Sequence, residues 1–292
     1  MGRHRRTRRN KKQRRIIVVS LISFLFIMIG GYAAFQTNLN ITAKGNIMCN
    51  GTIVKDLLLK NVVDVGDGLY KDEYEDGKYT YKGANPNNYI TFSGEIWRII
   101  SVESDGTLKI TRNESIGNRA WDDTNSNDWT RPATLNTYLN EEYLQTLLDF
   151  DKVITHTWST GAVELVNDDL ADQISDENGT TWNGHVGLIT ASEYLRANSN
   201  NEQCGNFKLA NENAQLCLTT NWIYSIGPGN DYVWTLSTYN NSMTVFRISY
   251  WGNLNVNNQV TYLSYVVPTL YLTSSLKLCG QGTKENPYVI VN

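Results

Sequence analysis

Histidine is scarce in this chain of 292 residues, with three in all. His4 sits in a run of arginines. His156, in "VITHTWS", and His185, in "WNGHVGL", each stand alone in strand-like or turn contexts. A solitary histidine of that kind is a packing residue more often than a catalytic one. The chain has no serine in a GxSxG elbow, no HExxH helix and no phosphate-binding glycine loop. It has no CxxC pair, which removes the usual zinc and thiol-redox arrangements. Without a nucleophile, a paired base or a metal set there is nothing on which to build a reaction. The expectation is a protein that is not an enzyme and carries no cofactor.

Acid is missing from the first 55 residues, since the first carboxylate is Asp56, while residues 1–15 carry nine Lys or Arg. The remainder holds 17 basic and 29 acidic residues, a net of −12. A basic run alone suggests nucleic acid, but the next stretch argues for a membrane. Residues 16–35, "IIVVSLISFLFIMIGGYAAF", are 20 residues without a charge. As a helix they span roughly 30 Å, the thickness of a bilayer's hydrocarbon core. The flanking cations place the N-terminus in the cytoplasm and residues 36–292 outside. Gly31 and Ala33 could precede a signal-peptide cut, but the apolar run exceeds the usual ~7–15-residue signal core. The expectation is a single-pass anchor in contact with membrane lipid, with no nucleic-acid partner.

Four cysteines, Cys49, Cys204, Cys217 and Cys279, suit an exported chain. Cys204 and Cys217 bracket the polar loop "GNFKLANENAQL", and a bridge there would contribute about 3 kcal/mol through loop-closure entropy. Cys49 would then pair with Cys279, if either pairs.

Residues 36–65 read as a connecting segment with a short helix near 53–60, because Val54, Leu57 and Leu58 share a face. The body of the domain is expected over residues 66–292. Asp76-Gly77, Ser93-Gly94 and Asp105-Gly106 mark turns of a β-meander rich in tyrosine and isoleucine. Leu135, Tyr138, Leu139, Leu144, Leu147 and Leu148 have helical spacing after Pro132. Thr190 and Glu193 form a capping box ahead of Tyr194 and Leu195. The last ~70 residues show no helix, only short strands. Helices between two groups of strands predict one α+β domain.

Several phrases occur together: "KYTYKGANPNNYITFSGEIWRIISV", "LKITRNESIGNRAWD", "TLNTYLNEEYL", "YVWTLST", "YVVPTLYL" and "GTKENPYVIVN". Over roughly residues 70–292 they resemble a set of anchored or secreted bacterial surface proteins whose domain has no assigned biochemical role. The resemblance implies a C-type-lectin-like fold, distantly similar to that of the formylglycine-generating enzymes. The family often places Arg before the proline of its final strand, where this chain has Val267 before Pro268. The Glu-Pro-Asn and Trp-Asn-Asp triplets of calcium-dependent lectins are missing, and Cys204 and Cys217 do not match the oxidase cysteines of the formylglycine-generating enzymes.

In that fold, as the resemblance implies, the late strands make a face that varies for recognition. Here that region contains "RISYWGNLNVN", residues 247–257. Strand alternation puts Arg247, Trp251, Asn253, Asn255 and Asn257 on one side, and Ile248, Tyr250, Leu254 and Val256 on the other. Trp251-Gly252 is also a turn signal, at which the register would restart. Amides and aromatics are what binding surfaces use, so the five residues of the first side are the candidate ligand contacts. Their ligand would be an extracellular glycan or protein. The alternative is a structural surface protein that assembles with copies of itself. "DDTNSND" sets Asp123, Asn125 and Asn127 at calcium-loop spacing, but Asp128 and Thr134 occupy the places where such a loop needs Gly and Glu, so a polar loop is expected. Sequons at Asn40, Asn50, Asn113, Asn178 and Asn240 follow from the high asparagine content.

Overall fold

Tight turns between apolar strands organise the first half of the domain. In the computed structural model, residues 49–164, 169–226, 231–240, 243–256 and 259–291 are described. The basic tail, residues 16–35 and residues 36–48 of the connecting segment lie outside the described residues, as does Asn257. No helix among the described residues is long and apolar enough to cross a membrane. Ser93 and Gly94 both take positive φ, +51° and +78°. That is the geometry of a two-residue hairpin, and it folds Tyr89–Phe92 back on Glu95–Val102. Leu108–Arg112 follows antiparallel to Glu95–Val102, as the meander predicts.

These strands form the centre of a ten-stranded open sheet. Beyond Tyr89–Phe92 come Tyr288–Val291, Lys277–Cys279 and Thr52–Ile53. Beyond Leu108–Arg112 come Thr269–Leu272 and Val186–Gly187. A six-stranded sheet holds Leu254–Asn255, Val245–Ile248, Val233–Tyr239, Ser264–Tyr265 and Asn118–Arg119 in that order, with Ala162–Val163 beside Val233–Tyr239. With helices between the two strand groups, the architecture is α+β. Residues 50–292 form one compact unit. Val54–Leu58 is helical, with Val54 and Leu58 fully buried.

The helical pattern after Pro132 gives a continuous run made of Thr134–Thr137, Tyr138–Glu142 and Tyr143–Thr146. It stops one residue short of the leucine pair. Leu147 is extended, so Leu148 leaves the apolar face and is 80% exposed. The stretch from Cys204 to Cys217 is not a polar loop. Asn200 and Asn206 cap two short helices through their side chains, Asn201–Cys204 and Phe207–Glu212, and Ala214–Cys217 follows. Asparagine marks a helix start as readily as a turn, and polar composition alone does not separate the two.

The capping box is present at helix Ala191–Arg196, all six residues of which are buried. Glu193 therefore enters the interior, where Lys109 bonds it and lies over the rings of Trp158 and Tyr271. Arg196 pairs with Asp72 at 3.1 Å and Glu75 at 2.7 Å, and Lys78 with Glu75 at 2.9 Å and Glu103 at 3.3 Å. Burial pushes the Glu75 carboxyl up, but Arg196 and Lys78 outweigh it and bring it down to about 2. Glu177 is different. It is buried with no ion pair among the described residues, and accepts bonds from Ser192 N at 3.1 Å, the Ser237 hydroxyl at 2.5 Å and the Ser192 hydroxyl. Burial holds its carboxyl above the ordinary range despite these bonds.

Two outcomes follow for stability. Lys109→Met removes the cation that bonds the buried Glu193 carboxylate and should cost about 3–5 kcal/mol in urea unfolding. A loss under 1 kcal/mol would mean that Glu193 needs no partner. Glu177 binds its proton more tightly folded than unfolded, so its contribution is complete below about pH 4.3 and is lost as pH rises. Glu75, with a lowered value, acts in the opposite sense and loses its contribution as pH falls toward about 2. Relative to Glu177→Gln, wild type should weaken as pH rises above about 4.3. A difference that does not change with pH would count against a raised value at Glu177.

Candidate functional site

The candidate face is built on a hairpin. Val245–Ile248 pairs with Leu254–Asn255 through Arg247 opposite Asn255 and Ile248 opposite Leu254. Between them Gly252 N donates to Ser249 O at 2.9 Å, and Ser249 N to Asn253 O at 2.9 Å. The Ser249 hydroxyl bonds the Asn253 side chain and accepts from Trp251 N at 3.1 Å. Gly252 holds φ +83°, which a side chain rarely tolerates, and an ideal Cβ there would come 2.7 Å from the Leu218 Cβ.

This turn breaks the single alternation read from sequence. Trp251 is 59% exposed and Asn253 and Asn255 are half-buried, while Leu254 and Val256 are buried, as expected. Arg247 and Tyr250 are reversed. Tyr250 is exposed because it lies in the turn, not in a strand. Arg247 is buried because its strand is flanked on both sides, by Val233–Tyr239 and Leu254–Asn255. Its guanidinium lies 4.0 Å from the Tyr232 ring centre and 5.1 Å from that of Trp234, and donates to the Ser264 hydroxyl at 2.7 Å. Burial brings its pKa down to about 10. Arg247 is thus a pillar under the face, not a ligand contact on it.

What surrounds Trp251 is aromatic. Its ring lies 4.9 Å from Tyr250, which meets Tyr232 edge-on at 5.8 Å. Tyr262, in the same late region, is 51% exposed. Beside Tyr250 lies a narrow slot walled by Ile189, Ile223, Val233, Ile248 and Val267, with Asp231 as its charged group. Val267, where the resembling proteins often carry Arg, is therefore apolar wall. The tyrosines and Asp231 escaped the sequence reading because they arrive from separate segments and share no period.

The other sequence candidates take structural places. Asp122, not Asp123, organises the 122–134 loop: it is buried, accepts from Thr124, Ser126 and Thr134, and pairs with Arg131 at 2.8 Å. Among the described residues no three His, Cys, Asp or Glu side chains are grouped to hold a metal. His156 stacks on Tyr271 at 3.7 Å, and His185 Nε2 lies 3.1 Å from the Thr155 hydroxyl. Cys204 and Cys217 are bridged, with Cα atoms 5.6 Å apart. Cys49 and Cys279 are disulfide-bonded as well. No family model, curated protein or solved structure matches the chain.

The exposed and buried sides of this hairpin should respond oppositely to substitution. Leu254→Asp buries a charge and should cost several kcal/mol. Trp251→Ala should change stability by no more than about 0.5 kcal/mol. Urea unfolding of the two variants checks this, and the reverse order would mean that the Trp251 ring is a packing residue.

Proposed function

We propose that the chain is a membrane-anchored, extracytoplasmic binding module of C-type-lectin-like type. It recognises a glycan or a protein through the aromatic face around Trp251. The observation that carries this reading is the indole itself. It is the one tryptophan among the described residues that is largely exposed. It is also held rigidly, on a turn fixed by Gly252 and by two side-chain bonds of Ser249. Large aromatics presented on a fixed backbone give contact area at small entropic cost. Tyr250, Tyr232 and Tyr262 extend the surface, and Asn253 and Asn255 flank it with amides. Residues 16–35 supply the anchor, and the disulfides fit the oxidising side of a membrane.

The test is an array of glycans and surface proteins probed with the soluble 36–292 segment and its Trp251→Ala variant. Trp251→Ala should weaken any captured interaction by more than about 1 kcal/mol, because aromatic anchors dominate such surfaces. Binding that ignores both Trp251 and Asn253 would end this reading. Concentration-dependent self-association that Trp251→Ala abolishes would turn the same face into an assembly contact.

A further inference from the structure

The turn that presents Trp251 does not rest on its own sheet alone. Beneath it lies the helical stretch that follows Asn200. Its middle helix, Phe207–Glu212, supplies Asn211, whose side-chain oxygen accepts from Leu254 N at 3.0 Å. The Phe207 ring meets Phe246 edge-on at 5.5 Å. Gly252 has no Cβ because Leu218 and the Ala214 carbonyl oxygen already occupy the space, at 2.7 Å and 3.5 Å from where a Cβ would stand. The chain thus contacts the turn at three successive points: Asn211, Ala214 and Leu218.

This support is made of pieces that cannot hold their shape singly. Its helices have four, six and four residues, far below the length at which a helix persists alone in water. Two devices keep them together. At the base, Ser199 N donates to Thr220 O at 3.2 Å and Asn198 Nδ2 to Cys217 O at 2.8 Å. In the middle, the Cys204–Cys217 bond ties the first helix to the third. Asn213 Nδ2 bonds Gln203 O at 3.2 Å across the same gap.

We infer that the Cys204–Cys217 bridge is a positioning element for the candidate binding face: it clamps the helical support so that Asn211 and Leu218 hold the Trp251 turn in one conformation. This rests on the reading of that turn as the binding surface, but its test needs no ligand. Two further bonds reach the turn from elsewhere, Tyr194 Oη to Gly252 O at 2.6 Å and Tyr224 Oη to Tyr250 O at 2.8 Å. Loss of the clamp should therefore loosen the Leu254 side of the turn first.

Amide hydrogen exchange on the 36–292 segment tests this, comparing wild type with the double variant Cys204→Ser, Cys217→Ser. Substitution leaves Cys49 and Cys279 untouched, as a chemical reductant would not. Exchange of the Leu254 amide should rise roughly tenfold or more, while the Ile110 amide, in the centre of the large sheet, keeps its protection. An unchanged Leu254 amide would overturn the inference. So would a parallel rise at Ile110, since the bridge would then hold the fold, not the turn. Asn211→Ala, with the bridge intact, provides the second arm. It should raise Leu254 exchange without affecting Ile110, and continued protection of Leu254 would remove Asn211 as the link. Failure on the array would sink the binding reading and leave these exchange results standing.

Discussion

Helix Ala191–Arg196 carries Glu193 and Arg196 into the interior, and much of the domain is arranged to receive those two charges. Taking an ion out of water costs several kcal/mol even after relaxation. The cost is met by partners from three separate strand regions: Asp72 and Glu75 after Gly68–Lys71, Lys78 before Tyr79–Lys82, and Lys109 on Leu108–Arg112. Three cations, Lys78, Lys109 and Arg196, face four carboxylates, Asp72, Glu75, Glu103 and Glu193. Such a cluster is a poor source of net stability compared with apolar packing. It is a demanding test of alignment, because any shift of the helix against the sheet leaves a buried charge unpaired. It therefore fixes the helix in register as well as in place.

That register reaches the candidate face. Between the two buried charges stands Tyr194, whose hydroxyl holds the Gly252 carbonyl, and its own carbonyl accepts from Asn221. Asn198, just past the helix, opposes Asn221 and anchors Cys217 O. One short helix thus links the ion cluster, the base of the disulfide-closed support and the turn bearing Trp251. The face is positioned by the interior and not by the loops that surround it, which is how a mostly irregular late region can present a rigid aromatic.

Much of the fold could be read from local chemistry. Asp-Gly and Ser-Gly turns, the Thr190–Glu193 box and the β-meander depend on neighbours within a few residues, and all appear where the sequence places them. Leu148 and the 200–217 stretch were misread because their outcomes rest on distant contacts: Asp149 bonding Ser93 in one case, and the cysteine bridge in the other. At the candidate site, Leu254 was legible from alternation, whereas Arg247 and Tyr250 were not. Alternation assumes one covered face, and a strand paired on both edges and overlaid by aromatic rings has two. The tyrosines at 224, 232 and 262 come together only through tertiary packing, so no pattern in the chain joins them.

Arg247 has a counterpart that shows what kind of residue it is. Arg98 is equally buried, has no carboxylate partner among the described residues, and lies 3.8 Å from the Tyr89 ring centre and 4.8 Å from that of Trp222. Its Nε donates to Asn88 Oδ1 at 2.6 Å, whereas the Nε of Arg247 finds no acceptor among the described residues. Burial lowers the pKa of both to about 10. The contrast with Lys109 and Arg196 is chemical. Those meet carboxylates, whereas these two spread a delocalised charge between π faces, which a guanidinium does and a compact ammonium does poorly. A planar cation between rings keeps them apart at a fixed spacing and orientation. Arg98 does this in the large sheet and Arg247 does it under Tyr232, so the aromatic surface around Trp251 rests on a charge that never reaches it.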